Sequence, residues 1–139
     1  KSDFQEEKVM SKLIQGVHHI AVKPTAENYR RTVEFYTGLL GMETVKSWGD
    51  PERPCLMISC GDNSCMEILS GESDQLPAGP LAHIAFATDK VDELIEKVRA
   101  EGYEITDEPK DVDLGGTPIR IAFFYGPAHE HIELFWVKG

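Results

Sequence analysis

His83-Ile84-Ala85-Phe86 repeats His19-Ile20-Ala21-Val22 at a distance of 64 positions (83 less 19), and Glu133-Leu134-Phe135 repeats Glu67-Ile68-Leu69 at 66 (133 less 67). Two unrelated residue types recurring at nearly one offset mark a tandem duplication. Each copy carries the same order of patterns. In the first, residues 17–22 read as a strand, and 26–40 as a helix with Tyr29, Val33, Tyr36 and Leu40 on one face, stopped by Gly41. Strand patterns follow at 43–48, 55–60 and 65–69. Past a Gly/Ser/Asp/Pro-rich linker at 70–80, residues 81–87 read as a strand and 89–101 as a helix with Val91, Leu94, Ile95 and Val98 inward, stopped by Gly102. Strands at 103–107, 118–125 and 131–137 complete the second copy, with Gly115-Gly116 and Gly126-Pro127 as punctuation. The expectation is an α+β fold of two βαβββ modules, 16–70 and 81–138, forming one domain behind an extension at 1–15.

Composition narrows the function. The 139 residues, 41% apolar, suffice for one core and exclude a second large domain. Fourteen Lys and Arg against 24 Asp and Glu leave a net charge of −10, which argues against a surface built for nucleic acid or an anionic membrane. The most apolar stretches, 119–125 and 131–137, fall far short of the roughly 20 residues of a membrane span. Three clustered cysteines, Cys55, Cys60 and Cys65, and no leader-like segment give the expectation of a soluble protein in a reducing cytoplasm. Cys60 and Cys65 bracket the turn-like Gly61-Asp62-Asn63-Ser64, and the cysteines read as small hydrophobes of a core strand.

Four polar residues sit where a core is expected. Glu67 and Glu133 lie in the middle of otherwise apolar strands, and an unpaired buried carboxylate is costly. Strand alternation puts Glu67 on a face with Cys65 and Leu69, and Glu133 with His131 and Phe135. His19 shares its face with Ala21, and His83 with Ala85 and Ala87, small neighbours that leave room. One divalent metal would resolve the cost of all four groups, with His19 and His83 giving nitrogens and Glu67 and Glu133 neutralising the charge. Such a donor set suits Ni, Zn, Co, Mn or Fe(II).

These motifs, with Phe35-Tyr36-Thr37-Gly38-Leu39-Leu40-Gly41-Met42 and Gly115-Gly116-Thr117, resemble the vicinal oxygen chelate, or glyoxalase/bleomycin-resistance, superfamily. The resemblance spans nearly the whole chain. It implies curled mixed sheets around a metal, usually in a homodimer, and the His, Glu, His, Glu set is similar to that of short bacterial glyoxalase I. The implied reaction, a step of methylglyoxal detoxification, turns the hemithioacetal of a 2-oxoaldehyde and a thiol into a 2-hydroxyacyl thioester by proton transfer through an enediolate. Glu133 is then the first choice for the base and Glu67 for its partner, with Ni or Zn as the foremost metals. The alternatives are another metalloenzyme of this superfamily (acyl-CoA epimerase, thiol transferase or dioxygenase) and a non-catalytic ligand-binding protein.

The chain departs from glutathione-using relatives at two positions. The resemblance places a basic residue four positions after the first His, where Lys23 stands, and an Asn four after the first Glu, where Gly71 stands and cannot hold a carboxylate. Lys23, Arg120 and His131 are the candidate substrate contacts, and Lys110 a further anion contact. His18 is left outside the site by strand alternation. Trp48, Phe123, Tyr125 and Phe135, with Phe4, are candidates for an apolar substrate wall.

Overall fold

The computed structural model describes Leu13, residues 17–71, 74–77, 79, 81–114 and 116–138. The expected extension at 1–15, apart from Leu13, lies outside the described residues, as do Gly16 and Gly115. The first module comprises β1 (His19–Val22), α1 (Tyr29–Glu34) running into a π-helical turn (Phe35–Leu39), β2 (Thr44–Trp48), β3 (Cys55–Ser59) and β4 (Cys65–Ile68). The second comprises β5 (Ile84–Ala87), α2 (Val91–Ala100), β6 (Ile105–Leu114), β7 (Thr117–Tyr125) and β8 (His131–Val137). Each module forms a four-stranded mixed sheet, ordered β1-β4-β3-β2 and β5-β8-β7-β6. The first and last strands of each module pair in parallel, and the other neighbours are antiparallel. The duplication therefore extends to register: Ala21 lies opposite Glu67, and Ala85 opposite Glu133.

One apolar core joins the modules. Phe35, Tyr36, Ile58, Met66 and Ile68 of the first pack in a single cluster with Val91, Ile95, Phe124, Ile132 and Leu134 of the second. Full burial of such side chains stabilises by roughly 1.5–3 kcal/mol each. Phe35 meets Phe124 and Tyr103 with ring centroids 5.8 and 5.2 Å apart, and Tyr36 meets Phe86 at 6.4 Å. Because Met66, Ile68, Ile132 and Leu134 face this core, alternation turns their neighbours Glu67 and Glu133 to the opposite face of each sheet.

Two elements differ from their expected form. The helix expected over 26–40 is regular only from Tyr29 to Glu34 and then widens, with Leu40 N–H bonded to Phe35 C=O and Met42 N–H to Tyr36 C=O. The wider turn accommodates two consecutive aromatic rings, Phe35 and Tyr36, both buried. The strand expected to end at 107 continues to Leu114. Its Pro109 and charged residues read as loop, yet β6 is an edge strand, where a missing N–H can face outward at no cost to the ladder. Irregularities between Ile105 and Lys110 absorb the mismatch with β7. Gly41 and Gly102, at φ +69° and +90°, terminate the helices as expected. Among the described residues no helix is long and apolar enough to cross a membrane.

Candidate functional site

His19 opens β1 and Glu67 lies on the adjoining parallel strand β4, so both project from one face, with His19 Nε2 3.3 Å from Glu67 Oε1. His83 immediately precedes β5, and Glu133 lies on its parallel neighbour β8, with His83 Nε2 3.2 Å from Glu133 Oε1. The histidine side chains are 40% and 41% exposed, and the glutamates 15% and 9%, so each pair presents an accessible imidazole over a sunken carboxylate. Burial pushes the Glu133 carboxyl up, and the adjacent His83 pulls it partly back.

The donor chemistry fits a divalent ion. Two donors bound at about 2.0–2.2 Å to one ion, a right or tetrahedral angle apart, stand roughly 3 Å from one another, and both pairs show that spacing. Each pair supplies one nitrogen and one oxygen, which is half of the expected set. Among the described residues no group of three or more His, Cys, Asp or Glu side chains is placed to hold a metal. The chain thus brings the four residues together two by two, one pair on each sheet.

The surroundings of the second pair are aromatic. A cleft of about 260 Å³ runs between Ala21 of β1 and His83, Tyr125, Glu130 and His131 of the second module. His131 lies on the Glu133 face, as alternation predicts. Its ring contacts Phe123 and Tyr125 at 5.0 and 4.7 Å, and its Nε2 is 2.9 Å from Thr106 Oγ1. His129, with φ +65°, stacks on Tyr125 at 4.4 Å. Phe123 and Phe135 share the Glu133 face, in keeping with an apolar wall, whereas Trp48 lies on the edge strand β2, where every residue is exposed. Beneath the cleft, Tyr36 O–H donates to Glu130 Oε2 at 2.6 Å, tying the first module to the second.

The remaining candidates fall in different places. Lys23 lines a smaller cavity of about 170 Å³ with Gln75, Leu76, His129 and Glu130. Arg120 is not brought to the pairs: it lies opposite Trp136, on the other face from Glu133, and grips both Asp92 oxygens at 2.7 and 2.8 Å and Asp111 at 3.1 Å. Lys110 sits on the exposed β6 edge, 3.9 Å from Asp107. At Gly71 a Cβ would stand 2.4 Å from Ala26 Cα and 2.6 Å from its nitrogen, so the backbone leaves no space there for an asparagine. His18 immediately precedes β1, and its Nδ1 lies 2.9 Å from Nδ1 of His19. The adjacent His18-His19 dipeptide was the available signal for this contact. The three cysteines are free and half-buried rather than fully in the core, and Cys65 lies opposite His19.

Comparison with known proteins identifies the family. The chain is 31% identical over 116 residues to lactoylglutathione lyase of Escherichia coli O157:H7, covering 78% of this chain and 84% of that protein. It is 33% identical over 111 residues to lactoylglutathione lyase GLX1 of Arabidopsis thaliana, covering 75% of this chain but only 38% of the plant protein's length. A crystal structure of a glyoxalase family protein from Enterococcus faecalis superposes with a TM-score of 0.66 at 27% identity, over 89% of this chain and 99% of that one. With residues 16–134 matching its sequence signature, the chain belongs to the Glyoxalase/Bleomycin resistance protein/Dioxygenase superfamily.

Proposed function

We propose that the chain is a metal-dependent lyase of the glyoxalase I type, converting the hemithioacetal of a 2-oxoaldehyde and a thiol into a 2-hydroxyacyl thioester. The observation that carries this is the pair of equivalent His–Glu contacts, 3.3 and 3.2 Å, at the same register in both modules. Kinship with lactoylglutathione lyases at about one-third identity supports it. His19, Glu67, His83 and Glu133 would hold the ion, Ni or Zn in the first instance, which supplies Lewis-acid polarisation of the two vicinal oxygens. Glu133 takes the proton from the carbon bearing the thioether and hydroxyl and returns it to the neighbouring carbonyl carbon. The hydroxyl proton passes to the other oxygen, so the reaction is a net isomerisation. Glu67 would be the partner of Glu133 and would help balance the charge of the ion. The cleft beside His83, with Tyr125 and His131, receives the substrate and keeps water from it, and Lys23 at the neighbouring cavity meets the anionic end of the thiol. Three free thiols support a reducing compartment, the cytoplasm.

We assign the four-donor centre to a homodimer in which one chain supplies the His19–Glu67 pair and the other the His83–Glu133 pair. The test begins with metal-stripped protein reconstituted separately with Ni, Co, Zn and Mn and assayed on the methylglyoxal–glutathione hemithioacetal. Metal-dependent thioester formation is expected. Binding of every metal without turnover removes the glutathione substrate and directs the search to acyl-CoA. His19→Ala and His83→Ala should each be inactive and metal-poor alone. After the two are mixed and allowed to exchange subunits, activity should return, because each heterodimer then holds one wild-type pair of each kind facing each other. No recovery despite proven exchange removes the shared centre.

A further inference from the structure

His18 and His19 approach through their Nδ1 atoms at 2.9 Å, with ring planes crossed at 84°. Two imidazole nitrogens at that distance share one proton, since two lone pairs or two N–H groups would repel. The other nitrogen of His19 faces Glu67 Oε1 at 3.3 Å. An ionised carboxylate only accepts, so in the metal-free chain a proton on His19 Nε2 suits Glu67, and His19 Nδ1 then accepts from His18 Nδ1–H. A metal between His19 Nε2 and Glu67 requires the opposite tautomer, because the Nε2 lone pair is then engaged and the ring proton must sit on Nδ1. That N–H needs an acceptor. Among the described residues His18 Nδ1 alone is in place to be one.

We infer that His18 is the positioning residue of His19, donating to it in the metal-free state and accepting from it in the loaded state. The inference rests on His19 being a metal ligand. Protons balance without net uptake. The His18 Nδ1 proton crosses the hydrogen bond to His19 Nδ1, the His19 Nε2 proton leaves to solvent, and His18 Nε2 takes one from solvent, both rings being exposed. A backbone carbonyl or a carboxylate could serve only the loaded tautomer, whereas an imidazole serves both. The second half-site lacks this device: His83 lies edge-on to the Phe123 ring at 5.5 Å, and no described group is hydrogen-bonded to its Nδ1. Module one therefore backs its histidine with a second imidazole, and module two sets the edge of an aromatic ring beside its own.

The test is long-range proton–nitrogen correlation of 15N-labelled histidines at about pH 8, where ordinary imidazoles are neutral, before and after zinc addition. In the metal-free protein His19 should be protonated at Nε2 and His18 at Nδ1, and zinc should invert both. His18→Ala should weaken zinc binding by about 10–100-fold, the usual cost of losing a ligand's outer partner, measured by competition with a chromophoric chelator. His18→Asn, whose amide can donate or accept, should recover much of it. Zinc that moves the His19 and His83 signals while His18 keeps its Nδ1 proton overturns the inference, as does wild-type zinc affinity in His18→Ala. Zinc that moves neither His19 nor His83 removes the metal reading itself, and this inference with it.

Discussion

Glu67 stands on the four-residue strand β4, whereas Glu133 is the third residue of seven-residue β8, flanked by the nine-residue β7. The registers are the same, with an alanine opposite each glutamate, but the side chains are 15% and 9% exposed. Duplication has preserved the position of each donor and let its surroundings diverge. The longer sheet sinks Glu133 and raises its carboxyl, with Phe123 beside it, while the first module backs its imidazole with a second one. A carboxylate with raised proton affinity in an apolar setting is the better base, which is the ground for giving Glu133 rather than Glu67 that role in the proposed reaction.

The largest expected effect tests that inequality. Glu133→Gln should lower thioester formation by about 10²–10⁴-fold, the usual worth of a positioned base, with the circular dichroism spectrum unchanged. Glu67→Gln should cost less, with metal content measured on the same samples to separate chemistry from loading. Equal losses at equal loading would break the comparison and leave the two carboxylates with one shared role.

Much of this was readable before any coordinates, and for a physical reason. Strand alternation and the 64- and 66-residue offsets are local or repetitive signals, so the four candidate donors and both βαβββ modules follow from them. What the offsets lack is any statement of which copy faces which. The gathering of the donors into two pairs, rather than one cluster, depends on how the sheets sit around the shared core of Phe35, Tyr36 and Phe124. The long β6 was hidden because Pro109 and its charged neighbours satisfy loop chemistry and edge-strand chemistry equally well. The His18–His19 contact joins the side chains of consecutive residues, which alternation by itself does not describe.

Position 71 gives a sharper, smaller contrast. Gly71 and Val137 each lie four residues after their module's glutamate, yet a Cβ at 71 would overlap the Ala26 backbone while Val137 is exposed. Gly71→Asn should therefore destabilise the fold by about 1–3 kcal/mol, as overpacking does, and Val137→Asn should stay within about 0.5 kcal/mol of wild type. Urea denaturation of the two variants decides it. An unperturbed Gly71→Asn that also gains affinity for glutathione would show that the loop yields and that the departure at this position is one of specificity, not of space.

The smallest expected effect is a slope, and it concerns a hydrogen bond between the modules. Buried Tyr36 donates to Glu130 Oε2, and Ala128 N–H to Glu130 Oε1 at 2.8 Å, yet burial outweighs these donors and raises the Glu130 carboxyl above its ordinary 4.5. An acid whose folded pKa is raised binds more protons folded than unfolded within the window between the two values, so folding stability falls as pH rises through that window. Glu130→Gln removes the titration and keeps a hydrogen-bonding group in place. The stability of wild type relative to Glu130→Gln should therefore decline from pH 4.5 upward and level off once the folded carboxyl is ionised. Asp92 and Asp111, lowered mainly by their hydrogen bonds to Arg120 and Lys138 respectively, act in the opposite sense, adding stability that is lost as pH falls below their ordinary 3.8. They are present in both proteins and cancel in the difference. Urea denaturation across pH 4–8 reads it directly. A difference that stays flat would show that the Glu130 carboxyl keeps its ordinary pKa when folded, and the Tyr36 bridge would then be a charge-assisted bond at neutral pH.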